Sequence, residues 1–320
     1  MTDSLGRWQH PEVNTFNTFC TFMRCPPLRR DEETIPGVTI LGVPFDLGTT
    51  YRPGARFGPS AIRAASAQLA RRKMFPWGFN PSDVMGIKDG GDLQLDIQHP
   101  ENIYAEIVEG ASALLARGGK LLTLGGDHYV SYPLLAAHFH KYGTPLRLLH
   151  FDAHTDTWPD PSMTSISHGT MFYKAVHAGF IDVEHSVQVG IRTWNDDTLG
   201  IHQISAVEFH EMRENEVIAR IRSVLGDGPV YLTFDIDCLD PAYAPGTGTP
   251  VIGGLSTPSI LAVLRGLAGL HFIGADVVEV APAYDHGEIT AIAGAQIAAE
   301  LLCLFSVLLE RETDQLEDDG

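Results

Sequence analysis

Leu146-Arg147-Leu148-Leu149-His150-Phe151-Asp152-Ala153-His154-Thr155-Asp156 runs an apolar stretch straight into three metal-capable side chains at every second position. Extended backbone alternates its side chains between faces, so this spacing predicts that Asp152, His154 and Asp156 point the same way. The preceding residues read as a buried strand of a parallel sheet, and ligands of open α/β folds collect at the carboxyl ends of such strands. The pattern recurs outward from there. An apolar run over 230–234 leads into Asp235-Ile236-Asp237, and one over 120–124 leads into Gly125-Gly126-Asp127-His128. Three strand tips therefore offer His128, Asp152, His154, Asp156, Asp235 and Asp237. A single strand-end Asp is usually a cap or turn former. Period-two clustering repeated on separate strands has no such explanation, and six ligands exceed what one ion normally needs. Carboxylates mixed with imidazole suit Mn²⁺ better than zinc. Six ligands can hold two ions if two carboxylates are shared, at the roughly 3.5–4 Å separation of two-metal sites. The expectation is a two-metal hydrolytic site able to turn water on an unreactive carbon such as that of a guanidinium.

The rest of the 320-residue chain fits a globular enzyme. Hydrophobic residues make up 44%, enough for a large core, and α/β folds of this length are often one domain. A formal charge of -18 argues against nucleic-acid binding and agrees with a cationic substrate, although solubility alone accounts for it as well. Cys20, Cys25, Cys238 and Cys303 form no paired spacing, as in a reducing cytoplasm, and Cys238 reads as a packed small residue beside Asp237. No export signal is visible, so the expected location is cytoplasmic. The one apolar stretch of membrane-spanning length, beginning at Ile289, carries Gln296 and Glu300 four residues apart. It reads as a long helix on the sheet, not as a membrane span.

Apolar strands alternate with amphipathic helices along the chain. Strands are expected at 38–43, 120–124, 146–151, 186–191, 229–234 and 272–278. Helices are expected at 59–65, 102–117, 133–142, 169–178, 214–225, 257–268 and 289–310. This order predicts a mainly parallel sheet with helices on both faces. Residues 1–35 read as an arm over the domain or a subunit contact, 36–310 as one catalytic domain, and 311–320 as an acidic, frayed tail.

Gly125-Gly126-Asp127-His128, the block 151–156 and Phe234-Asp235-Ile236-Asp237-Cys238-Leu239-Asp240-Pro241 resemble the three signature blocks of the ureohydrolases: arginases, agmatinases and related guanidino-acid hydrolases. Pro245-Gly246-Thr247-Gly248-Thr249-Pro250, Gly253-Gly254-Leu255, the loop 49–58 and Phe75-Pro76-Trp77 look like the agmatinase branch, and the similarity covers about residues 15–305. The resemblance implies a three-layer α/β/α sandwich assembled as a homo-oligomer, a trimer or hexamer. It implies two Mn²⁺ per subunit. His128, Asp152, Asp156 and Asp235 would bind one, and Asp152, His154, Asp235 and Asp237 the other, with Asp152 and Asp235 bridging. It also gives His168 the role of proton shuttle, for which an imidazole is suited. Glu279 would grip the guanidinium, whose paired N–H groups a carboxylate can accept in parallel. Without the resemblance, His168 would read as a helix-start residue and Glu279 as a solvated strand end. His138 and His140 read as core or surface residues, and His150 and Asp127 as groups that orient the ligands.

The loop 158–167 departs from the arginase pattern, which argues against arginine as substrate. Agmatine has an apolar stem ending in an ammonium, which Asp160, Asp196 or Asp197 could attract, unless these are merely exposed loop acids. A guanidino acid such as 4-guanidinobutyrate or 3-guanidinopropionate would need a cation there, for which Arg52 or Arg56 is available. Two other classes compete. A one-metal deacetylase would not need Asp235 and Asp237 alongside His128. A polyamine-binding regulatory protein on a hydrolase scaffold would not need the intact ligand set.

Overall fold

The computed structural model describes residues 20–35 and 37–318, with side chains through Leu309. Its elements in chain order are β1 (Val38–Val43), α1 (Gly58–Ala65), α2 (Pro81–Val84), β2 (Ile87–Asp92), α3 (Ile103–Ala116), β3 (Lys120–Gly125), α4 (Ser131–Tyr142), β4 (Arg147–Phe151), α5 (Met171–His177), β5 (Val187–Ile191), β6 (His202–Ser205), α6 (Ala206–Glu211), α7 (Glu214–Leu225), β7 (Val230–Asp235), α8 (Thr257–Gly266), β8 (Phe272–Val278) and α9 (Ile289–Asp318). The strands form one eight-stranded sheet in the order β2-β1-β3-β8-β7-β4-β5-β6, and each neighbouring pair is parallel.

Parallel strands are covered on both faces, so their residues are apolar whichever way they point. Leu122, Leu149, Leu232 and Ala275 pack on one face with residues of α7, α8 and α9. Leu121, Leu148, Tyr231 and Ile273 pack on the other with residues of α3, α4 and α5. The architecture is thus the expected α/β/α sandwich. All seven expected helices are present, the last extending beyond its expected end to Asp318. The span Ile289–Leu309 is apolar enough for a membrane but mostly buried against the sheet. Its polar stripe is used: Glu300 accepts from Trp77, Arg265 and Gln296.

Two strands went unexpected, and both lie at sheet edges. β2, Ile-Lys-Asp-Gly-Gly-Asp, carries the glycines and acids of a loop, yet Asp89 is buried because Arg63 and the Phe22 amide satisfy its carboxylate. Of the expected N-terminal arm, residues 1–19 lie outside the described residues. Residues beyond them run along β2, where Pro27 bridges Asp89. The side chains of the expected acidic tail also lie outside the described residues.

The order of the strands sets the position of the site. The chain leaves β3, reappears three places away as β4, and only later fills the gap with β7 and β8. Four adjacent strands, β3, β8, β7 and β4, therefore end together at the switch point where α/β folds bind ligands.

Candidate metal centre

Each of these four strand ends bends sharply. After β3, the backbone at Gly126 lies so close to Phe45 that a Cβ would sit 1.7 Å from its carbonyl oxygen, so no larger residue fits. Asp127 then accepts the amides of Tyr129 and Gly48, and His128 opens a short 3₁₀ turn. After β7, Asp235 Oδ1 accepts the Asp237 amide at 2.8 Å and folds Asp237 back beside it. Arg192 donates to the carbonyls of Asp237, Cys238 and Val251 and fixes this turn from below. After β4, extended backbone ends at Phe151. Asp156 (φ 53°) and Glu279 (φ 63°), beyond β4 and β8, both occupy the left-handed region that side chains avoid.

The six sequence-derived ligands meet in two groups. His128 Nδ1 lies 3.0 Å from Asp152 Oδ2, 3.0 Å from Asp156 Oδ2 and 3.2 Å from Asp235 Oδ2. A ring nitrogen carries at most one proton, so it cannot hydrogen-bond three carboxylates at once. Such a cage of one nitrogen and three oxygens is what a cation takes. His154 Nδ1 lies 3.3 Å from Asp152 Oδ1 and 3.1 Å from Asp237 Oδ2, forming the second group. Asp152 shows one oxygen to each group, as a bridging ligand must. Asp235 offers Oδ2, its other oxygen being held by the Asp237 amide. Asp152, His154 and Asp156 all reach this site as expected, but not by strand alternation, because the strand ends at Phe151. The turn beyond Phe151 sends Asp156 to the first group and His154 to the second.

Electrostatics show the same demand for positive charge. Burial, with Asp237 and Asp152 nearby, pushes the Asp235 carboxyl well above the usual carboxylate range. Burial also raises Asp237, whose carboxylate neighbour Asp152 adds to the effect while His154 opposes it. Burial would lower His154, but Asp237 and Asp152 raise it to about 12. Packed acids that must borrow protons from one another suit two divalent cations. The donor set therefore fits a binuclear metal site.

Further buried groups hold the ligands. His128 Nε2 lies 2.8 Å from Thr233 Oγ1, and Thr233 donates to Asp276, which also accepts from Tyr231 and Ser131. His150 Nε2 lies 2.7 Å from Asp152 Oδ2, and Gln188 donates to its Nδ1. His150 thus takes the orienting place expected of it, while Asp127 bonds no ligand side chain and caps the turn that carries His128. Thr233, Asp276 and Gln188 were missed. Their signal was a polar residue inside an apolar strand, and strand register sets Gln188, His150, Thr233 and Asp276 side by side.

Beside the cluster, Glu279 Oε1 accepts the His128 amide at 2.9 Å and faces His168 Nδ1 at 2.8 Å. Its Oε2 is buried without any partner. His168 Nε2 accepts the Thr50 amide at 3.1 Å. Burial would lower the His168 pKa, but Glu279 raises it to about 9. His154, Asp156, His168 and Asp235 line a cavity of about 330 Å³, whose remaining wall is Thr50, Trp158, Ser167, Gly169, Thr170 and Thr249.

The acids expected to draw the substrate tail are placed elsewhere. Asp160 is buried, and its two oxygens take the Ser162 amide and hydroxyl, the Ser165 hydroxyl and Lys174 Nζ. Those four donors fill a carboxylate's capacity. Asp196 is exposed and bonded to Trp194, and Asp197 is exposed and closes a turn onto the Leu199 amide. None of the three lines the cavity. Nor do the arginines: Arg56 pairs with buried Asp46, and Arg52 lies between the rings of Tyr51 and Tyr284. His138 is buried, with burial lowering its pKa to about 4, and His140 is exposed. Cys238 is buried, and burial pushes its thiol pKa well up, as for a packed residue.

Comparison with known proteins agrees with this geometry. The model of the Arginase family matches residues 36–303. An agmatinase of Chromobacterium violaceum is 56% identical over 91% of this chain and 90% of its own length. One from Shigella sonnei is 47% identical, covering 88% and 91%. Among solved structures, a hypothetical agmatinase from Burkholderia thailandensis superposes with a TM-score of 0.89 at 55% identity, over 93% of this chain and 95% of that one. The proclavaminate amidino hydrolase of Streptomyces clavuligerus gives 0.85 at 37%, over 92% and 100%. With its sheet, its strand-end acids and four-fifths of its length accounted for in these terms, the chain belongs to the arginase family.

Proposed function

We propose that this protein is an agmatinase, hydrolysing the guanidinium of agmatine to urea and putrescine. The observation that carries the reading is Glu279 Oε2, a buried acceptor without a partner, set beside the two ligand groups. A buried lone carboxylate oxygen is costly unless a donor arrives, and a guanidinium brings charge and paired N–H groups together. His128, Asp152, Asp156 and Asp235 would hold one Mn²⁺, and Asp152, His154, Asp235 and Asp237 the other. When bound, the ions supply the positive charge that lets water react at neutral pH.

The chain's own residues do the rest. Glu279 fixes the guanidinium through Oε2, because Oε1 is committed to the His128 amide and His168. His168 is held between opposing demands. Glu279 favours the charged ring, whereas the Thr50 amide donates into Nε2 and favours the neutral one, with Thr50 Oγ1 at 2.9 Å able to bond either form. A ring so balanced can give a proton from Nε2 to the departing amine and take one back. Residues 36–310 would form the catalytic domain of a cytoplasmic homo-oligomer, a trimer or hexamer.

The wall around the cavity favours agmatine over a guanidino acid, since neither Arg52 nor Arg56 reaches it to meet a carboxylate. With added Mn²⁺, urea release should show kcat/KM for agmatine exceeding that for 4-guanidinobutyrate, 3-guanidinopropionate and arginine by about tenfold or more. Faster turnover of either guanidino acid would contradict the assignment.

A further inference from the structure

Resting on the agmatine reading, we infer that Trp158 selects the substrate by its far end, the face of its indole receiving the tail ammonium in place of a carboxylate. Trp158 lines the same cavity as His154, Asp156 and Asp235. Apart from those ligands and His168, the lining residues are threonines, a serine and a glycine, with no ionisable group among them. The acid two residues further along the loop, Asp160, is saturated by its own donors. With Asp156 and Asp235 engaged at the metal groups, an ammonium at the far end of the cavity meets neutral hydroxyls and one aromatic side chain, and tryptophan is the ring that attracts a cation most strongly.

The indole is also held in place, so it need not be ordered on binding. Its backbone amide donates to the Gly169 carbonyl at 3.1 Å. Its ring edge lies over Gly169, where an added Cβ would approach Cδ1 to 3.3 Å. Pro159 and Pro161 stiffen the chain beyond it. Lys174, buried in α5, clamps the far limb of the loop through Asp160 and the Ser165 carbonyl. Trp158 nonetheless remains 44% exposed, so the side chain is accessible to a ligand.

The test compares Trp158→Leu and Trp158→Phe with the parent enzyme, Mn²⁺-loaded, on agmatine and on butylguanidine, whose tail is apolar and uncharged. The leucine variant should lose about 3- to 30-fold in kcat/KM on agmatine, chiefly through KM, while butylguanidine changes less than about threefold. The phenylalanine variant, which keeps a π face, should recover most of the agmatine rate. Equal losses on both substrates, or no loss on agmatine, would overturn the role of Trp158 and leave the agmatinase reading intact. A parent enzyme that prefers 4-guanidinobutyrate would overturn that reading, and this inference with it.

Discussion

Asp152→Ala should abolish nearly all turnover, at least about a 10³-fold loss in kcat, and should empty both ligand groups. The expectation follows from position. Asp152 presents an oxygen to each group, Oδ2 facing His128 and Oδ1 facing His154. It is fully buried, and His150 and the His154 amide lock its two oxygens in place. Metal-assisted stabilisation is worth several kcal/mol, and each 1.36 kcal/mol is a factor of ten in rate. Asp237→Ala is the contrast, because its carboxylate belongs to the second group alone. That variant should keep about one ion per chain where Asp152→Ala keeps none tightly. Metal analysis after gel filtration separates the two, and equal metal content in both would contradict the assignment of Asp152 as a shared ligand.

Glu279→Gln should lower kcat/KM by roughly 30- to 10³-fold while leaving metal content unchanged. The amide is isosteric, but it cannot pair a cation, and breaking a buried charged hydrogen bond costs about 2–5 kcal/mol. It also removes the charge that raises the His168 pKa to about 9, so the ring should deprotonate at lower pH. In the parent enzyme the His168 cation is lost as pH rises through that value. In the variant, the limb of the pH–rate profile belonging to His168 should move down. A variant with normal KM and an unmoved profile would show that Glu279 is only structural.

The sheet was legible because its central strands are apolar on both faces, and 120–124, 146–151 and 229–234 could be little else. The edges were not. β2 owes its place to Arg63, which neutralises Asp89 from another element, and no local pattern reports that contact. The ligands were legible for a different reason: acids and histidines at several strand ends have few structural uses. Which ligand joins which group was not legible from spacing, because the turn after Phe151 breaks the alternation assumed for it. The tail acids failed for a similar reason. Asp160 looked free in sequence, and Lys174, fourteen residues on, is what occupies it. Glu279 shows the limit most clearly. Its role needs a left-handed backbone and a lone buried oxygen, and neither leaves a mark in the sequence.

Anomalous diffraction at the manganese edge, from crystals of the Mn²⁺-loaded protein, addresses the two-ion centre most directly. Two peaks per chain should appear roughly 3.5–4 Å apart, one against His128 and Asp156 and one against His154 and Asp237, with Asp152 between them. A single peak, or two peaks that do not share Asp152, would contradict it.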